Sequence, residues 1–144
     1  MTTKARTLPL QAELLRGTWG FRCQLERKRL VARGTIRPHA LARDYLVRIE
    51  YVPGVHLRAW VDDPPLRPQV KGGTIPHTYP GPRPCLFYPP NREWTESMSI
   101  ADTFVPWLMT WLFFYEIWHA TGEWLGGGVE HSAPKEEEPP NGDD

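Results

Sequence analysis

Two residue types capable of covalent chemistry stand close together in the run His77-Thr-Tyr-Pro-Gly-Pro-Arg-Pro-Cys85-Leu-Phe-Tyr. A cysteine acts as a nucleophile through its thiolate, and a nearby histidine, a cation or backbone donors can supply that activation. The segment therefore has two readings. It is either a cysteine active site for acyl chemistry, or a small thiol packed in the core at the point where a hydrophobic strand is expected to begin. Arg83, two residues before the cysteine, would lower the thiol pKa or dock an incoming anionic group if the first reading holds, and is a solvated loop charge otherwise. The other thiol, Cys23, alternates with Trp19, Phe21 and Leu25 on one side of a strand pattern and is expected to be structural.

Composition limits what such a site could serve. The 144 residues suit one domain with a real core. The net charge is zero, but lysines and arginines crowd the first third, from Lys4 to Arg48, while Glu136, Glu137, Glu138, Asp143 and Asp144 close the chain. No nucleic-acid motif accompanies the arginines, so a basic sheet face for an acidic protein partner is expected and no nucleic acid is. Two distant cysteines make neither a disulfide framework nor a zinc site, which implies a reduced, cytoplasmic protein without a metal. The opening Met-Thr-Thr-Lys-Ala-Arg lacks the apolar run of a signal peptide. The apolar stretch from Phe104 to Tyr115 falls short of the ~20 residues that span a bilayer, so no membrane association is expected. Gly72-Gly73 and Gly126-Gly127-Gly128 lack the Lys-Ser/Thr context of a phosphate loop, and no cofactor is expected.

The elements that must position the cysteine follow from patterning. Good helix formers predict a helix over Leu8 to Arg16, closed by Gly17. Alternation predicts strands over Trp19–Glu26, Leu30–Ile36, Asp44–Val52 and Val55–Asp62, joined in an antiparallel meander. From Asp62 to Pro90 prolines and glycines are too dense for regular structure, so an ordered loop carrying His77 and Cys85 is expected there. Ser99-Ile-Ala-Asp102 has the form of a capping box and predicts a helix start. Phe104, Trp107, Leu108, Trp111, Leu112, Tyr115 and Trp118 then recur at helical spacing as a broad aromatic face for the core. An α+β domain over 1–128 and a disordered acidic tail over 129–144 complete the expectation.

This order, an N-terminal helix, a four-stranded meander, a proline-rich loop with histidine upstream of Cys-Leu, then tryptophan and a hydrophobic helix, resembles the ubiquitin-conjugating enzyme family over roughly Leu8 to Trp118. Tyr51-Val-Pro-Gly followed by Pro64-Pro65-Leu66, then His77-Thr-Tyr, then Cys85-Leu-Phe-Tyr with Trp94 carry the resemblance. More narrowly, Cys-Leu-Phe-Tyr-Pro-Pro-x-x-Glu-Trp, Val-Pro-Trp-x-x-x-Trp-Leu-x-x-Tyr-Glu-x-Trp and Thr-Gly-Glu-Trp-Leu-Gly-Gly-Gly look like the bacterial members found in short type II CBASS anti-phage operons.

The resemblance implies a conjugating-type transferase. By it, Cys85 matches the thioester-forming cysteine and His77 the motif histidine that organises the loop. The cargo would be the C-terminus of a cGAS-like nucleotidyltransferase, passed to an amine such as a protein lysine. Where the family carries an asparagine for the oxyanion, this chain has Tyr79, and the eight positions from His77 to Cys85 are fewer than usual. Two alternatives remain beside this reading: a catalytically inactive binding module on the same fold, and a cysteine hydrolase. The element order fits papain-like folds poorly, and no Asn or Asp is obviously placed to orient His77.

Overall fold

The computed structural model describes residues 4–87 and 93–126. Helix α1 (Leu8–Trp19) opens where the Thr7 hydroxyl accepts the Leu10 N–H at 3.2 Å. It closes at Gly20, whose φ of 71° suits glycine and whose N–H bonds back to the Arg16 and Leu15 carbonyls. The expected stop at Gly17 is corrected by one turn, and Trp19 belongs to this helix rather than to the first strand. A glycine inside a helix costs about 1 kcal/mol. That cost is offset by burial of Ala12 and Leu15 and by the Trp19 indole, which donates to the Ala101 carbonyl at 2.7 Å.

Strands β1 (Arg22–Glu26), β2 (Arg29–Ile36), β3 (Tyr45–Val52) and β4 (His56–Asp63) form one antiparallel sheet in sequential order, the expected meander. In β3 the alternation is complete: Tyr45, Val47, Ile49 and Tyr51 are buried and the residues between them are not. Leu30 and Ala32 of β2 and Ala59 and Val61 of β4 join that buried face. At Gly34 only glycine fits, because a Cβ would stand 2.1 Å from the Phe21 ring.

Helix α2 (Phe104–Thr121) covers the same core with Phe104, Leu108, Trp111, Leu112, Tyr115 and Trp118. Each fully buried aliphatic or aromatic side chain contributes about 1.5–3 kcal/mol. The helix starts later than the capping pattern predicts. The Ser99 hydroxyl does accept the Asp102 N–H at 3.2 Å, yet it closes a preceding turn. Thr103 stands at the N-cap with its hydroxyl already committed, donating to the Ser99 carbonyl at 2.7 Å and accepting from the Trp94 indole at 3.0 Å. The buried Gln11 amide holds this approach in place, donating to the Met98 carbonyl at 2.9 Å and accepting the Ile100 N–H at 3.0 Å. On the other side, Tyr45 donates to the Glu116 carboxylate at 2.6 Å and His39 meets it at 2.9 Å, tying α2 to the β2–β3 connection. Among the described residues no helix is long and apolar enough to cross a membrane. The tail expected from 129 onward lies outside the described residues.

Candidate active site

The segment expected to be irregular contains a short hairpin, β5 (Thr78–Tyr79) and β6 (Arg83–Pro84), paired antiparallel across Pro80-Gly81-Pro82. Gly81 sits at φ 141°, where a Cβ would come within 3.0 Å of the Arg83 side chain. Pro82 and Pro84 cannot donate to a ladder, so pairing stops after two residue pairs. Cys85 follows directly. Of the strand expected to begin there, residues 85–87 run without regular structure and 88–92 lie outside the described residues.

His77 meets Cys85 through the main chain. The Cys85 N–H donates to the His77 carbonyl at 2.9 Å, and the Trp111 indole donates to that same oxygen at 3.0 Å. The carbonyl is aimed by a left-handed backbone at His77, φ 53°, a conformation that non-glycine residues adopt at a cost and that recurs at functional loops. The imidazole stacks on Trp124 with centroids 5.0 Å apart, and Trp124 in turn lies against Trp111. The far end of the α2 region thus braces the loop that carries the cysteine.

The thiol converges with two other groups. Cys85 is 7% exposed, its Sγ is 3.8 Å from the Phe87 carbonyl, and the Tyr79 hydroxyl donates to that carbonyl at 3.1 Å. Burial pushes the thiol up to about 11. A hydrogen bond from Tyr79 and the charge of Arg83 act against that rise, whereas Glu93 adds to it. A hydroxyl proton can rotate. Tyr79 can therefore serve the Phe87 carbonyl while the thiol is neutral and turn to the sulfur as negative charge appears. At neutral pH the protonated thiol is therefore the favoured form.

Arg83 stacks over the Tyr79 ring at 5.2 Å and donates from Nε to the Pro80 carbonyl at 3.1 Å. Burial, and then the charge of Arg58 on β4, press its pKa below the ordinary guanidinium value. Beside this hairpin a groove of about 580 Å³ opens, walled by Tyr51, Arg58, Arg83, Phe87, Trp94 and Glu96 among others. Among the described residues no cluster of three or more His, Cys, Asp or Glu could hold a metal ion.

Cys85 and Tyr79, singled out from the sequence, come together at the Phe87 carbonyl, and His77 joins them by its backbone. Sequence reading missed four participants. Trp111 and Trp124 looked like core and helix-end residues, and their role as braces depends on where α2 ends. Tyr51 and Arg58 sit in ordinary strand alternation, and only the placement of β6 beside β4 brings them to the groove.

No curated protein matches the chain. The family model described as Type II CBASS E2 protein matches residues 11–132, a span that runs from α1 past α2 and contains His77, Tyr79 and Cys85. The chain belongs to the Type II CBASS E2 protein family.

Proposed function

We propose that this ubiquitin-conjugating-like protein of anti-phage CBASS carries the C-terminus of a cGAS-like nucleotidyltransferase on Cys85 as a thioester and transfers it to an amine, such as a protein lysine, priming the synthase for defence signalling. In the first step the Cys85 sulfur attacks the carbonyl carbon of the cargo's activated C-terminal carboxyl, its proton leaves to solvent, and the activating group departs. In the second, an amine attacks the thioester carbonyl. The tetrahedral intermediate collapses with loss of the Cys85 thiolate, an amide forms, and the amine proton reprotonates the sulfur or passes to water. Activation of the carboxyl is the work of another component. The reaction would proceed in the reducing cytoplasm, and the acting unit is the domain over 1–128.

The observation that supports this most is the convergence of the Cys85 thiol, the Tyr79 hydroxyl and the Phe87 carbonyl just past the hairpin. A tyrosine donor at the sulfur is suited to stabilise developing negative charge, the task the family gives to asparagine. One observation favours a second reading, an inactive binding module: the thiol is buried and its pKa raised. The two separate on one experiment. Incubated with the nucleotidyltransferase and its activating component, the chain should acquire a thiol-labile adduct that Cys85→Ala abolishes. The inactive module would bind the partner equally well with either residue and yield no adduct.

A further inference from the structure

The groove beside Cys85 combines apolar walls and two cations. Leu57, Leu86, Phe87 and Trp94 supply the apolar surface. Arg58 and Arg83 both line the groove, and the charge of Arg58 reaches Arg83. Arg58 donates from Nη2 to His56 Nδ1 at 2.8 Å and, 3.9 Å from Glu50, shares that carboxylate with Arg29 at 2.7 Å and His56 at 2.9 Å. Arg83 forms no ion pair among the described residues. Glu96, also in the lining, accepts the Gly54 N–H at 2.6 Å.

We propose that this groove seats the last residues of the cargo chain in extended form, and that Arg58 and Arg83 select an acidic side chain just upstream of the carboxyl terminus that reacts. The assignment rests on the thioester reading above. An extended peptide offers apolar side chains for the Phe87–Trp94 walls. A carboxylate between two guanidiniums relieves their mutual repulsion and forms charge-assisted bonds. Arg83 is two residues from Cys85, and an extended chain advances about 3.3 Å per residue, which places the acidic residue about two or three positions before the terminal carbonyl.

The test reads non-covalent binding. Full-length Cys85→Ala protein is titrated into a fluorescein-labelled synthetic octapeptide, apolar apart from one aspartate three residues from its C-terminus, and into the same peptide with asparagine or lysine there. Fluorescence anisotropy should give at least tenfold tighter binding of the aspartate peptide. Arg83→Gln or Arg58→Gln should each remove most of that preference while leaving the asparagine peptide unchanged. Adding Arg83→Glu should reverse the preference toward the lysine peptide, an outcome an unfolded variant cannot produce. Equal affinity for the three peptides, no measurable binding of any, or a preference indifferent to both arginines overturns the proposal. Because the nucleophile is absent, the result does not depend on thioester formation, and failure here leaves the Cys85 adduct test standing.

Discussion

The His77 carbonyl accepts the Cys85 N–H at 2.9 Å, so the histidine reaches the cysteine as a piece of backbone, and Trp111 completes the arrangement from α2 by donating to the same oxygen at 3.0 Å. The sulfur's position is thereby fixed by three elements at once: the left-handed turn at His77, the hairpin that follows it, and the helix behind. Mutational effects should divide along the same line, between changes to conformation and changes to the imidazole.

Asparagine tolerates the left-handed region well, while a β-branched residue does not. His77→Asn should retain the loop and most of the adduct-forming activity. His77→Val should cost about 1–3 kcal/mol and depress adduct formation with it. Thermal unfolding and intact-mass analysis on the same samples check both; equal loss in the two variants would assign the role to the ring instead.

Trp111→Phe keeps a ring in the core and removes the donor to the His77 carbonyl. A buried acceptor that loses one of its two partners should cost about 1–2 kcal/mol in a denaturant titration. The loosened loop should also let a small alkylating reagent reach Cys85 faster. Unchanged stability and unchanged alkylation would show that the indole bond is incidental.

Burial that raises the Cys85 thiol to about 11 gives a pH signature. Alkylation of Cys85 should be slow at pH 7 and rise about tenfold per pH unit until it levels near pH 11. The sign for stability follows from the same shift. The folded chain favours the protonated thiol, so this contribution is complete below the ordinary thiol pKa of about 8.5 and is lost as the pH climbs toward 11. Mass-spectrometric alkylation rates across pH 7–11 test it, and a plateau below pH 8 would contradict it.

Tyr79→Phe removes the hydroxyl that serves the Phe87 carbonyl and the sulfur while keeping the ring under Arg83. Thioester formation should persist, and its transfer to an amine should slow by about 100-fold, the scale of losing one oxyanion donor. Single-turnover discharge of a preformed thioester to free lysine measures this. Discharge at the wild-type rate would move the donor role to a backbone N–H.

The central strand β3 was legible because burial imposes period two on it: Tyr45, Val47, Ile49 and Tyr51 all face the core as the alternation requires, whereas in β1 Leu25, expected on the inward face, is 44% exposed. The aromatic face of α2 was legible for the corresponding reason at helical spacing. Boundaries were not, because tertiary contacts override local signals. Gly17 stays helical while Trp19 is anchored to Ala101, and Ser99 caps a turn while Thr103 is engaged by Trp94. Within the site, Cys85 and Tyr79 could be named from residue type and order. The partnership of Arg58 with Arg83 could not, since it arises from a two-residue hairpin laid beside β4 and leaves no trace in spacing.

The measurement that bears most directly on the central claim is the intact mass of the chain after incubation with the nucleotidyltransferase and its activating component. A Cys85 thioester predicts an adduct equal to the two masses less one water, released by dithiothreitol, abolished by Cys85→Ala and untouched by Cys23→Ala. An adduct that survives Cys85→Ala, or one that disappears with Cys23→Ala alone, would contradict it.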